Sequence, residues 1–176
     1  MPYVAIFGSS KTPEGHPHFD LAYRLAFRLA TAGYGVCSGG YWGIMDAATR
    51  GARDAGGEAV GVTLEYFSNK RNGANPLLSR EDPKRSLPDR LTTLLEMSNA
   101  HVVLPGSIGT LAEMFVSWNL LVSGGTKPLI LLGEEWERLL DVLEQHTEIR
   151  PKDRAKLIFS RTAEDAFEQI TRRVAL

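Results

Sequence analysis

The sequence predicts a Rossmann-like, doubly wound α/β fold: a parallel sheet with helices on both faces, three layers in all, forming a single domain over residues 1–176. Three observations carry this. Short β-branched runs alternate with helix-length segments along the whole chain, which is the order of successive βαβ units. The strand candidates are almost continuously apolar, as strands covered on both faces must be. A chain of 176 residues suffices for one well-buried core and is short for two.

The strands are read at Tyr3 to Phe7, Gly35 to Ser38, Ala59 to Leu64, His101 to Leu104 and Pro128 to Leu132, with Leu157 to Phe159 as a weaker sixth. Amphipathic segments at 18–32, 43–55, 86–98, 110–123 and 135–146, and another from Thr162 onward, supply the helices. Right-handed crossovers then give the strand order 3-2-1-4-5, with the sixth strand beyond it. The stretch from Glu65 to Arg85 has no periodicity, is long for a loop, and contains Lys70, Arg71, Arg80, Lys84 and Arg85. It reads as a lid, a segment ordered by a partner, or a solvated insertion.

Composition narrows the function classes. With 43% hydrophobic residues and 20 basic against 21 acidic side chains, nothing draws the chain to polyanions or membranes. Extended nucleic-acid binding is therefore not expected. MPYVAIFGSS has no basic segment ahead of its apolar run, and no apolar stretch reaches about 18 residues, so a cytoplasmic protein is expected. Cys37 is the single cysteine and reads as a small core hydrophobe; no metal-ligand spacing occurs, and neither metal nor cofactor is expected. His16, His18, His101 and His146 show no partner spacing and are assigned to core or surface.

In a doubly wound sheet, ligands sit beyond the carboxyl ends of the strands where the order reverses, here between the first and fourth strands. The first is followed by Gly8-Ser9-Ser10 and the fourth by Pro105-Gly106-Ser107-Ile108-Gly109-Thr110. Gly106 and Gly109 let the backbone approach an anion, and the helix from Thr110 presents unpaired amides to it. Glycine can equally serve only to start the helix.

Glu113 has two readings. Thr110-Leu111-Ala112-Glu113 spells a capping box, which would use its carboxylate on the helix's own amides. It also lies about 200° from the stripe of Leu111, Phe115, Trp118 and Val122, close to the expected anion, where a carboxylate needs another task such as gripping ribose or stabilising a cationic transition state. Arg90 is the reverse anomaly, a cation in the first turn of its helix. It pairs with Asp89, makes a surface contact, or meets a phosphate or Glu113 through its bidentate fork. Gly39-Gly40-Tyr41-Trp42-Gly43, after the second strand, either lines the same cleft with amides and aromatic faces or serves packing.

These residues resemble a known family. IFGSS, CSGGYWGIMDAATRGA, the Arg90 region and LPGSIGTLAEMF occur in the order and spacing of the Lonely Guy (LOG) family, over roughly residues 3–133. The resemblance implies a Rossmann-like, usually dimeric protein that hydrolyses the N-glycosidic bond of nucleoside 5′-monophosphates, cytokinin ribotides or AMP, releasing base and ribose 5-phosphate. It implies that Arg90 and Glu113 are catalytic. It also implies that Gly106, Gly109 and Thr110 hold the substrate's phosphate; Ser107 and Ile108 of the same bend, and the strand-end residues Gly8, Ser9, Gly39 and Gly40, complete the candidate substrate-binding set. Ser107 stands in place of the second glycine of the family's PGGxGT motif, Leu91 replaces a lysine, and Ala112 replaces the first glutamate of GTxEE.

Two functions follow. The first is a phosphoribohydrolase. The second, favoured by those three departures, is a carrier that binds a nucleotide or the molybdenum cofactor without chemistry, as related proteins do. The older "possible lysine decarboxylase" label carried by many relatives fails chemically, because Lys11, Lys70, Lys84, Lys127, Lys152 and Lys156 show no setting for a Schiff base. The helix over 110–123 is apolar nearly all round, which predicts a homodimer or higher homo-oligomer that buries it, the alternative cover being a tightly packed lid from the same chain.

Overall fold

The computed structural model describes residues 1–67 and 73–176. The chain runs β1 (Tyr3–Phe7), α1 (Pro17–Thr31), β2 (Gly35–Ser38), α2 (Ile44–Asp54), β3 (Ala59–Leu64), a single 3-10 turn (Glu65–Phe67), β4 (Arg80–Lys84), α3 (Leu87–Met97), β5 (Ala100–Val103), α4 (Ile108–Val122), β6 (Leu129–Leu132), α5 (Glu135–His146), α6 (Pro151–Arg154), β7 (Ile158–Ser160) and α7 (Ala163–Thr171). The sheet has seven strands in the order β4-β3-β2-β1-β5-β6-β7, every neighbouring pair parallel. The predicted order is therefore present, with one strand added outside β3.

That added strand corrects the reading of 65–85 as one irregular segment. Arg80 to Lys84 pairs with Val60 to Leu64 although its sequence, REDPK, is charged and mostly exposed. Proline is tolerated at an edge strand because its missing N–H can face away from the ladder. Lys70 and Arg71 lie outside the described residues.

The sheet separates two cores. One holds Val4, Ile6 and Val36 against Leu25, Leu29, Ala47 and Ile170, from α1, α2 and α7. The other holds Ala5, Phe7, Val60 and Val103 against Leu94, Met114, Trp118 and Trp136, from α3, α4 and α5. Alternate residues of one strand feed opposite cores, as the pleat requires. Cys37 is buried in the second, where desolvation pushes its thiol up to about 12. Among the described residues no helix is long and apolar enough to cross a membrane.

Strand order reverses at β1, which pairs with β2 on one side and β5 on the other. The loops leaving β1 and β5 are thus neighbours, tied by Leu104 N donating to Phe7 O at 2.9 Å. On the other side, Ile44 N donates to Ser9 O at 2.9 Å, which brings the loop after β2 against the loop after β1.

Candidate functional site

The bend after β5 closes on the loop after β1 through Gly106. A Cβ there would lie 2.6 Å from Thr110 Cβ and 2.9 Å from the Ser9 backbone nitrogen, so only glycine fits. Gly109 differs. A Cβ on it would meet nothing within 4 Å, and its φ is not in the left-handed region. Neither packing nor backbone conformation demands glycine at 109, and its bare Cα leaves open space at the start of α4.

Helix α4 begins two residues before the sequence reading placed it. Ser107 is its N-cap, and the Ser107 side chain makes no capping bond; the first turn is closed by Leu111 N donating to Ser107 O at 3.0 Å. The Thr110–Glu113 capping box does not form, because Thr110 is already inside the helix, buried beside Gly106. Gly106, Ser107, Ile108 and Gly109 are exposed, and Ile108 is 81% exposed. The positive end of the α4 dipole is thus presented along an exposed lip.

Glu113 lies one turn further, on the same face of α4 as Thr110. Its Oε1 accepts from Arg90 Nη1 at 3.3 Å. Arg90 is 8% exposed, and its Nε donates to Val62 O at 2.8 Å. The alternative partner is ruled out by helix capping: Ser86 Oγ accepts from Asp89 N at 3.1 Å and lies 2.6 Å from Asp89 Oδ2, so Asp89 belongs to the N-terminus of α3. Gly39, at the end of β2, makes room for the guanidinium, since a Cβ there would collide with Arg90 Nη2.

The pair has an uncommon balance. Burial raises the Glu113 carboxyl, Arg90 lowers it, and burial wins, pushing Glu113 up to about 7. A carboxyl that changes protonation near neutrality beside a permanent cation, next to an anion-attracting helix end, can serve as base or as electrostatic partner to a developing positive charge.

The other glycines expected in the cleft have packing partners of their own. Gly8 packs on the Ile44 side chain, and Gly40, at φ 75°, lies against Gly61 Cα and Thr63. A polar network that the sequence reading missed fixes the surrounding loops. Asn75 Nδ2 donates to Asp46 Oδ1 at 2.7 Å and Asn75 N to Gly40 O at 2.9 Å. Asp46 pairs with Arg50 at 2.9 Å, and Arg50 reaches Glu14 at 3.1 Å. The i,i+4 spacing of Asp46 and Arg50, the only charges in the first two turns of α2, was the available signal. Among the histidines, His18 Nε2 lies 2.9 Å from Glu135 Oε1 and His101 is buried. The described residues include no group of three His, Cys, Asp or Glu able to hold a metal ion.

The inward face of α4 is Thr110, Met114, Ser117 and Trp118; of the stripe read from the sequence, Trp118 is buried, Leu111 and Val122 are half-buried against the same core, and Phe115 is exposed. Phe115 and Val116 are each 38% exposed and Leu120 is 50% exposed. A groove of about 700 Å³ between α3 and α4 includes Leu91, Leu95, Val116 and Leu120. A second, of about 670 Å³, runs along the other flank of α4 past Phe115, Trp118 and Ile149.

Known structures share this architecture. TM1055, a structural-genomics target, is 28% identical, with a TM-score of 0.77 over 98% of this chain and 99% of that one. The molybdenum cofactor binding protein of Rippkaea orientalis is 20% identical, with a TM-score of 0.75 over 97% and 96% of the two chains. The molybdenum cofactor carrier protein of Chlamydomonas reinhardtii is 21% identical, with a TM-score of 0.73 over 99% of each. Two curated proteins named cytokinin riboside 5′-monophosphate phosphoribohydrolase are similar in sequence. That of Rhodococcoides fascians is 27% identical over 175 residues, 95% of this chain and 88% of the relative. That of Mycobacterium tuberculosis is 30% identical over 137 residues, 76% of this chain and 71% of the relative. The model described as the SLOG cluster4 family matches residues 1–167, and the chain belongs to that family.

Proposed function

We propose that the chain hydrolyses the N-glycosidic bond of a nucleoside 5′-monophosphate, of the AMP or cytokinin riboside type, to free base and ribose 5-phosphate. The observation that carries this is the Arg90–Glu113 pair, at 3.3 Å, one turn inside a helix whose N-cap side chain makes no capping bond. The names of the two curated relatives support the same reaction.

In this reading the 5′-phosphate is held by the amides of 106–110, with Gly8, Ser9, Gly39 and Gly40 completing the floor. Phosphate binding orients the ribose and lowers the entropic part of the barrier. Glu113, ionised, faces the oxocarbenium-like centre and the attacking water, and Arg90 fixes the carboxylate. One carboxylate does this work, unlike the paired carboxylates of most glycosidases. Two of the three motif departures lie away from the pair: Ala112 is exposed on α4, and Leu91 lines the α3–α4 groove. The exposed apolar ridge of α4 and its flanking grooves support a homodimer related by a twofold axis, ridge seated in groove.

The test incubates purified protein with AMP, other 5′-monophosphates and ring analogues, and separates free base by chromatography. Base release that is lost in Glu113→Ala supports the reaction. No release from any nucleotide at high enzyme concentration overturns it, and intact nucleotide recovered from the protein would identify a carrier instead.

A further inference from the structure

The chain has three tryptophans. Trp118 and Trp136 are buried, at 5% and 2% exposure, whereas Trp42 is 38% exposed. A large aromatic side chain left on the surface is informative where the backbone presenting it is fixed. That is the case here. Before Trp42, Gly40 turns the chain at φ 75° and Tyr41 is buried, its hydroxyl accepting from Leu64 N at 2.8 Å. Asn75 holds the carbonyls of Gly40 and Tyr41, at 2.9 and 3.3 Å. After Trp42, Gly43 turns at φ 67° and Ile44 N is bound to Ser9 O at 2.9 Å. Both flanks are pinned, so the backbone that carries the indole is already ordered in folding.

The position of this turn gives the indole a purpose. Gly43 lies against the carbonyl of Ser9, and Gly106 lies against the Ser9 backbone nitrogen, 2.9 Å from where its Cβ would be. Ser9 is therefore shared by the Trp42 turn and by the bend that opens α4. No residue from Ser38 to Met45 carries a charge. A ligand group meeting this turn is recognised by the face of a ring.

Resting on the phosphate site proposed above, we propose that Trp42 is the stacking platform for the ligand's heterocycle, a planar bicyclic ring carried on the phosphate-bearing sugar or side chain. A purine nucleotide and a phosphorylated pterin share that chemistry. Stacking a base on an aromatic side chain adds a share of the affinity that is lost with that side chain, while the phosphate is held as before.

The experiment compares the wild type, Trp42→Phe and Trp42→Ala, each checked by thermal melting and, for AMP, each also carrying Glu113→Gln so that the nucleotide is bound without being cleaved, in titrations with AMP, a pterin monophosphate and ribose 5-phosphate. AMP is expected to quench tryptophan emission in the wild type but not in Trp42→Phe, because the other two indoles are buried. By calorimetry, the Kd for AMP is expected to rise about 10- to 100-fold in Trp42→Ala and to stay within about threefold in Trp42→Phe. Ribose 5-phosphate is expected to bind all three proteins within about twofold. Whichever bicyclic ligand loses more affinity in Trp42→Ala names the heterocycle. Unchanged AMP affinity in Trp42→Ala, with ribose 5-phosphate still bound, overturns the platform and leaves the phosphate site standing. Loss of ribose 5-phosphate binding in Trp42→Ala also overturns it, since the residue would then only hold the loop. Failure of ribose 5-phosphate to bind the wild type sinks the phosphate site, and the platform with it.

Discussion

The Arg90 guanidinium occupies the volume beside Gly39 that any side chain would take, with Arg90 Cζ 3.1 Å and Met45 Sδ 2.7 Å from the position of a Cβ. Gly39 is not in the left-handed region, so the backbone would accept alanine there. Gly39→Ala should therefore act on Arg90, displacing it from Val62 O or from Glu113. Overpacking of this kind costs about 1–3 kcal/mol, readable in urea denaturation, and base release should fall at least about tenfold. Full activity in a folded Gly39→Ala protein would show that the placement of Arg90 does not matter.

The two glycines of the α4 bend should respond in opposite ways. Gly106→Ala meets Thr110 and the backbone of Ser9 and should destabilise by about 1–3 kcal/mol. Gly109→Ala meets nothing and adds a better helix former, so it should stabilise by roughly 0.5–1 kcal/mol. It should nevertheless weaken ribose 5-phosphate binding, because the added methyl group enters the space assigned to phosphate. Tighter or unchanged binding by Gly109→Ala would move the phosphate elsewhere.

Glu113 makes stability depend on pH in a defined window. Its ordinary value is 4.5 and the fold raises it to about 7, so its contribution is intact below pH 4.5 and is lost as pH rises through 7. Glu113→Gln, which imitates the protonated form, should match the wild type at pH 4.5 and exceed it above pH 7 by up to about 3 kcal/mol. If the ionised form does the chemistry, the rate should rise with pH through the same region. A stability difference that is constant with pH would refute the raised value.

His101 works on the acid side. It is buried, its Nε2 has no hydrogen-bond partner among the described residues, and desolvation with the nearby Lys127 charge lowers it to about 4. Stability present above pH 6.5 should drain away as pH falls toward 4. His101→Phe, similar in size and next to Phe7, should flatten that part of the curve in denaturant titrations. An unaltered acid limb would place its cause in other groups.

The exposed face of α4 gives the last expectation. Leu120→Lys, at a half-exposed position, should leave the fold intact and shift the mass measured by light scattering from dimer to monomer. A wild-type chain that is already monomeric at micromolar concentration would remove the homodimer.

Most of this architecture is legible from residue pattern, and the exceptions have physical reasons. β1, β2 and β3 have the bounds that apolar runs predict, because strands buried on both faces write themselves as hydrophobic sequence. β4 does not: it is a charged edge strand paired with β3, and REDPK carries no alternation to read. The cap of α4 was placed three residues late because Ser107 and Thr110 are both residue types that suit an N-cap, and only the packing of Thr110 against Gly106, inside the helix, assigns the position to Ser107. The inward face of α4 is legible only in part: Trp118 is on it and Leu111 and Val122 flank it, but a helix apolar nearly all round gives no reason to set Phe115 outside. Arg90 and Glu113 could be named singly from their awkward positions on helices. Their contact, across 23 residues, is a product of the fold. Asn75 gave no signal, since its partners Gly40, Tyr41 and Asp46 lie about 30 residues upstream.

Both borders of the sheet are poor templates for another chain. β4 offers a short row of charges interrupted by Pro83, and β7 is only three residues long. Such borders resist the strand-by-strand growth that leads to fibrils. Contact between copies, if they meet, would fall on the helical faces, where a twofold contact closes on itself and growth stops at a finite particle.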